Sequence, residues 1–251
     1  MKNNTELFYR NIDLAINVAK QFGVYTLLFT GKGEPLYDEL LANKIYQLNK
    51  NNDFIIEIQT NGVLLKERLK VLLSNASTIP NTIAISMVDF DRNKEIMGEN
   101  ALSFEGLKER IELCKKHDIN IRLTFVCMKG FNDTLEKIYQ TIFKCQELGV
   151  DQVTFRLMGM PRNTNRNIFN YCVDNIINKM QWNSILESIN SEKQHELMSI
   201  YDWGSVSWII AGLEVLFAKC LTNPSKTGKI RNLIYDGHMR KSWEYPKALI
   251  F

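Results

Sequence analysis

Five short segments of this 251-residue sequence carry the residues whose types and spacing could do chemistry. Thr30-Gly31-Lys32-Gly33-Glu34-Pro35 sets two glycines beside a carboxylate and a proline. Thr60-Asn61-Gly62 follows, then Ser86, then Lys129-Gly130-Phe131-Asn132-Asp133, then Arg156. Glycines at 31 and 33 let a ligand approach the main chain closely. The Glu34 carboxylate can accept hydrogen bonds from an ammonium group. Asn61, Ser86 and Asn132 offer amide and hydroxyl partners suited to a small polar molecule. Each segment also has a plain structural reading. Gly-Lys-Gly is a turn into a helix, with Pro35 near the first helical position. Asn61-Gly62 is a good turn, Asn132-Asp133 caps a helix, and Ser86 and Thr124 bond locally within a sheet. Gly31-Lys32-Gly33 is not a phosphate-binding P-loop, which needs Gly, four residues, then Gly-Lys-Ser/Thr. It lacks the third glycine of a dinucleotide fingerprint.

The elements that must position these segments follow from hydrophobic patterning. Residues 13–22 are amphipathic, with Leu14, Ala15, Val18, Ala19 and Phe22 on one side and Gly23 as the stop. Residues 24–30 form a nearly continuous apolar run, which suits a strand buried on both faces. Helices are expected over 37–49, 64–73, 104–116 and 134–148, and strands over 54–59, 82–88, 120–127 and 151–157. Alternation of this kind predicts a parallel sheet with crossover helices, in a (β/α) barrel or a doubly wound sheet. In both, ligands sit beyond the C-terminal ends of the strands, where all five segments fall. Residues 162–170 are polar and rich in Asn and Arg, an exposed loop. Residues 173–190 read as helix. Asp236-Gly237 between two β-like runs predicts a hairpin near 230–243. The expected organisation is one domain over 1–251, with a barrel core at 10–160 and a C-terminal extension at 161–251.

Composition narrows the function classes. Apolar residues are 45% and charged residues 24%, as in ordinary globular chains. A net charge of +3 is too small to argue for nucleic acid or a membrane surface as partner. The basic run Lys115-Lys116-His117 falls at a helix C-terminus, where cations complement the dipole. The most apolar stretch, 206–218, is interrupted by Glu214 and is too short to span a membrane. The N-terminus carries no signal-peptide pattern, so the expected location is cytoplasmic. His195 and His238 have no metal-ligand spacing. Tyr201, Trp203, Trp208, Trp243 and Tyr245 are core residues or a recognition surface. The five cysteines, 114, 127, 145, 172 and 220, are odd in number and widely scattered, unlike a disulfide framework.

The order of motifs resembles the radical SAM superfamily. Thr-Leu-Leu-Phe-Thr-Gly-Lys-Gly-Glu-Pro-Leu at 26–36 is similar to its Gly-x-Gly-Glu-Pro element. Glu-Ile-Gln-Thr-Asn-Gly at 57–62, Ile-Ala-Ile-Ser-Met at 83–87, the segment 122–133 and Gln-Val-Thr-Phe-Arg at 152–156 resemble successive family strands. The resemblance covers roughly residues 10–160. It implies an α/β fold, a partial (β/α) TIM-like barrel of parallel strands, here with a C-terminal β-hairpin extension. It implies S-adenosylmethionine as cofactor. Gly31, Gly33 and Glu34 would hold its methionine end, Pro35 would shape the turn, and Asn61 would lie alongside. Ser86 would contact the ribose, Asn132 would lie near the adenosine, and Arg156 would reach the methionine carboxylate.

The sequence departs from the family pattern at one point. Family members bind a [4Fe-4S] cluster through a Cys-x3-Cys-x2-Cys loop after the first strand, whereas the closest cysteines here, Cys114 and Cys127, are 13 positions apart. Both the family's first strand and its cluster loop are expected to be missing, which leaves a sheet edge open. The resemblance then implies part of a radical enzyme that generates a 5′-deoxyadenosyl radical, with the cysteines supplied by a second polypeptide or an upstream segment. The alternative is a cluster-less pseudoenzyme acting in binding or regulation. The substrate is not readable from the sequence.

Overall fold

The computed structural model describes residues 2–21, 23, 26–30, 33–37, 45, 48, 54–73, 81–160, 165–201, 204–218, 233–235 and 238–240. Helix α1 (Lys2–Gln21) leads into β1 (Thr26–Phe29), a short 3-10 turn (Pro35–Tyr37) and β2 (Ile55–Thr60). Then come α2 (Leu65–Leu73), β3 (Thr82–Met87), α3 (Asn93–Met97), α4 (Phe104–Lys115), β4 (Asn120–Cys127), α5 (Leu135–Glu147) and β5 (Gln152–Leu157). Helices α6 (Arg166–Asn175) and α7 (Lys179–Ser191) precede β6 (Glu196–Ile200), β7 (Val206–Ile210) and β8 (Leu213–Ala218). Strands β9 (Leu233–Tyr235) and β10 (His238–Arg240) pair antiparallel, as the Asp236-Gly237 signal predicts; those two residues lie outside the described ones.

The main sheet has eight strands in the order β1-β2-β3-β4-β5-β8-β7-β6. Strands β1 to β5 are parallel, β8 joins parallel to β5, and β7 and β6 follow antiparallel. The α/β class and parallel sheet are as the sequence implies, and the sheet is open rather than closed into a barrel.

Successive side chains of a strand point to opposite faces, and here the two faces differ in kind. Ile56 and Ile58, Ile83 and Ile85, Ile121 and Leu123, Val153 and Phe155, and Val215 and Phe217 point one way and are buried. They form one cluster with Ile12 and Ile16 of α1, Leu65 and Leu69 of α2, Leu107 and Ile111 of α4, Ile138 and Ile142 of α5, and Trp182 and Ile185 of α7. Phe125, Phe155 and Phe217 lie in register on neighbouring strands and stack at 5.9 and 5.3 Å between centroids, with Trp208 edge-on to Phe217 at 5.5 Å. Trp208 is therefore core. The alternate positions carry Glu57, Gln59, Ser86, Arg122, Thr124, Gln152, Thr154, Arg156 and Glu214 and make a polar face.

Several elements differ from the sequence expectation. The first helix begins at Lys2 rather than 13, and it buries Ile12 and Ile16 while Leu14 is exposed. Strand β1 is not buried on both faces: among the described residues it pairs with β2 alone, and Leu28 is 47% exposed. Of the helix expected over 37–49, only 45 and 48 are described beyond Tyr37, and both are helical. The polar stretch read as loop holds α6, because Asn165 caps it by accepting from the Ile168 amide at 2.9 Å. The helix expected over 173–190 is two helices, the second capped by Asn178. Thr134, not Asn132 or Asp133, caps α5. The apolar stretch 206–218 folds into the β7–β8 hairpin around Ala211 and Gly212, both at positive φ. The sheet thus continues well past residue 160. Among the described residues no helix is long and apolar enough to cross a membrane.

Phe155 is fully buried at the middle of the aromatic row. Phe155→Ala is expected to cost about 3–5 kcal/mol, and Phe155→Leu clearly less, read as shifts of the urea unfolding midpoint at unchanged slope.

Candidate functional site

The site is built where the parallel strands end. Glu34, just beyond β1, turns its carboxylate onto the end of β2. Its Oε1 accepts from the Thr60 hydroxyl at 2.6 Å and the Leu36 amide at 3.0 Å, and its Oε2 accepts from the Asn61 amide at 2.7 Å. Thr60 Oγ1 in turn accepts from the Gly62 amide at 3.0 Å, and Asn61 Oδ1 accepts from the Val63 amide at 2.9 Å. Pro35 and Leu36 are buried beneath this turn. Gly62 sits at φ 77°, and a Cβ there would come within 3.0 Å of Leu102 and 3.2 Å of Ile85. The turn after β2 therefore needs glycine for its backbone and for its packing. Arg110 holds the same turn from outside, through the carbonyls of Gly62 and Val63.

Asn132 stands at the turn after β4, 4% exposed and at φ 52°. Its amide nitrogen donates to the Val88 carbonyl at 3.2 Å, and its amide oxygen accepts from the Thr141 hydroxyl at 2.7 Å. The buried Asn93 does the matching task after β3, accepting from the Val88 amide at 3.0 Å and donating to the Leu102 carbonyl. Asn132 thus ties the β4 turn to the end of β3, and Asn93 braces that end against Leu102. Burial works to raise the Asp133 carboxyl, but the bonds it accepts from Lys137 and from the Gly130 amide together hold it below the usual range.

Ser86 and Arg156 lie on the polar face, Ser86 in register with Thr124 and Thr154, and Arg156 with Val126 and Ala218. The structure thus joins Glu34 directly to Asn61, sets Ser86 and Arg156 on one face, and buries Asn132 between the loops. Gly33 and Pro35 flank Glu34; Gly31 and Lys32 lie outside the described residues. The sequence reading missed Thr60, which fixes Glu34, and the charged residues deeper on the polar face. There Arg122 pairs with Glu57, Gln59 donates to Glu57 at 3.1 Å, and Gln152 donates to Glu214 at 2.7 Å. Burial first, and then the nearby Arg156 charge, pull the Arg122 guanidinium down to about 10. The signal for these residues was the polar residue at every second position of each strand.

The described cysteines do not fit a [4Fe-4S] cluster. Cys114, Cys127, Cys145 and Cys172 are free, buried, and on four different elements. Burial pushes the Cys114 thiol up to about 12 and raises Cys127 and Cys145 as well, whereas cluster ligands are thiolates. Among the described residues no group of three or more His, Cys, Asp or Glu could hold a metal ion. Cys220 lies outside them. His195 is structural: its Nδ1 lies 2.9 Å from the Ile189 carbonyl and its ring 5.8 Å from Tyr139.

A parallel sheet with polar turns at its strand ends defines an α/β fold of the kind in which ligands sit beyond the C-terminal ends of the strands. The family model for the radical SAM superfamily matches residues 3–142, and the chain belongs to that superfamily. The chain is 30% identical over 123 residues to the GTP 3′,8-cyclase of Aquifex aeolicus, a match that covers 49% of this chain and 38% of that enzyme. Among solved structures it is similar to Streptococcus suis SuiB bound to precursor peptide SuiA, at 16% identity and TM-score 0.49 over 66% of this chain and 38% of that one. It is also similar to the Escherichia coli coproporphyrinogen III oxidase HemN, a radical SAM enzyme, at 18% identity and TM-score 0.47 over 71% and 42%. The chain spans well under half the length of each of these proteins. None of these likenesses lends support to a pseudoenzyme.

Iodoacetamide at pH 8 is expected to leave Cys114, Cys127 and Cys145 unmodified in the native protein and to alkylate all three in denaturant, as read by peptide mass spectrometry. Rapid native labelling of any of them would contradict the buried, protonated state described.

Proposed function

We propose that this chain binds S-adenosylmethionine at the C-terminal ends of β1 to β5 and forms the cofactor-binding sheet of a radical enzyme. The observation that carries this reading is the Glu34 carboxylate, whose three bonds fix the Gly-Glu-Pro turn against the end of β2. The main chain at Gly31 and Gly33 meets the methionine end of the cofactor, and Pro35 and Asn61 shape that side. Ser86, half-buried on the polar face, meets the ribose. Arg156 faces the carboxylate. Asn132 acts as a positioning residue, since both ends of its amide are engaged by the protein. Buried hydroxyls on the same face that lack protein partners fit a polar ligand there. When bound, S-adenosylmethionine supplies the 5′-deoxyadenosyl group of this superfamily's chemistry. We assign the cluster cysteines to a second polypeptide or to further sequence of a longer protein, because the described thiols do not fit the task.

Calorimetric titration with S-adenosylmethionine tests the reading. Binding is expected for the wild type, weakened roughly tenfold or more by Glu34→Ala, which removes three charge-assisted bonds. Ser86→Ala is expected to weaken it by about threefold to tenfold. A wild-type protein that stays folded and takes up no cofactor would sink the proposal.

A further inference from the structure

The polar face holds hydrogen-bonding groups that the protein does not itself use. Register aligns Ser86, Thr124 and Thr154 across β3, β4 and β5, and continues through Leu216 to Ser207 on β7. Thr154 is 2% exposed and Ser207 is 1% exposed, yet neither hydroxyl has a hydrogen-bond partner in the protein. Arg122 is the diagonal neighbour of Thr154, one pleat repeat toward the strand N-termini. Its Nη2 pairs with Glu57, whereas its buried Nε has no partner.

A buried donor without an acceptor destabilises the fold, and folded proteins keep few of them without a ligand, a water or a function to explain them. Diagonal neighbours on adjacent strands stand about 7–8 Å apart at the main chain, so the two residues occupy neighbouring positions of one face. The guanidinium Nε–H only donates, so the complementary group must be an acceptor. The carboxylates on the central strands of this face are engaged, Glu57 by Arg122 and Glu214 by Gln152, and Glu196 lies exposed on the edge strand β6. The second guanidinium, Arg156, adds positive charge close to Arg122.

We propose that Arg122 Nε and the Thr154 hydroxyl form an oxyanion-binding corner on the polar face of the sheet, and that the substrate carries a carboxylate or phosphate group into it. Ser207 stands beyond Leu216 as a further hydroxyl for the same molecule. The assignment of the corner to substrate rests on the cofactor reading above; the corner itself does not.

The test uses the full chain with orthophosphate and malonate as probes, at fixed ionic strength against chloride, read by melting temperature. A saturable rise with one anion is expected, and which anion does it distinguishes phosphate from carboxylate. Thr154→Val is expected to need roughly tenfold more of that anion, while melting at or above wild type without it, because an unpaired buried hydroxyl has been removed. Arg122→Lys, which keeps the charge but loses the Nε donor, is expected to show the same loss of response. The proposal is overturned if neither anion exceeds chloride or if Thr154→Val responds like wild type. It is equally overturned if Thr154→Val melts well below wild type, which would reveal an internal bond. Repeating the titration with saturating S-adenosylmethionine separates the two readings. Additive shifts support a substrate corner. Displacement would make the corner the seat of the cofactor's own carboxylate and overturn the substrate assignment. A Thr154-dependent anion response in a protein that takes up no cofactor would support the corner and defeat the cofactor reading alone.

Discussion

A β-strand sends successive side chains to opposite faces, and the separation of core from site in this protein depends on that constraint. Ile121, Leu123 and Phe125 of β4 go into the helix-packed core, and the intervening Arg122 and Thr124 go to the polar face. The same alternation repeats on β2, β5 and β8, so hydrophobic burial and polar clustering reinforce each other strand by strand. A slip of one residue in β4, β5 or β8 would turn Arg122, Arg156 or Glu214 toward the aromatic row. The register is thus held by the cost of burying charge in an apolar layer as well as by the ladder bonds.

The strand ends are organised by polar side chains that bond to main chain. Glu34 gathers Leu36, Thr60 and Asn61; Asn93 and Asn132 both clasp Val88. Each is a compact group making two or three bonds at a turn, where the backbone has lost its ladder partners. The turns at the C-terminal ends of these strands are therefore held in fixed shape by the protein's own bonds.

Satisfaction of polar groups is uneven, and outside the polar face Trp182 Nε1 in the core also lacks a partner. At the strand ends the buried polar side chains Asn93, Asn132 and Thr60 are all engaged by the protein. In the middle of the polar face Thr154, Ser207 and Arg122 Nε are not. Local rules of folding are most often broken where a protein acts on something else, and here the break falls inside the concentration of charge that Glu57, Arg122, Arg156 and Glu214 create.

The sequence alone determined the alternation of helices and strands up to residue 157, the glycine stop after the first helix, the C-terminal hairpin and the family, because these are written in local patterning and motif order. It located Glu34, Asn61, Ser86, Asn132 and Arg156 at strand ends, but not what each does. Composition misled at residues 166–170, where Asn and Arg suggested loop, because an asparagine cap and a partly buried face suffice for a short helix. The placement of β8 beside β5, with β7 and β6 beyond it, was decided only by the tertiary structure, since pairing between strands some 60 residues apart leaves no local mark. The same holds for the roles of Glu34 and Asn132. A carboxylate or amide bonds to whatever folding brings within reach, and Thr60, Val88 and Thr141 become neighbours only when the sheet has formed.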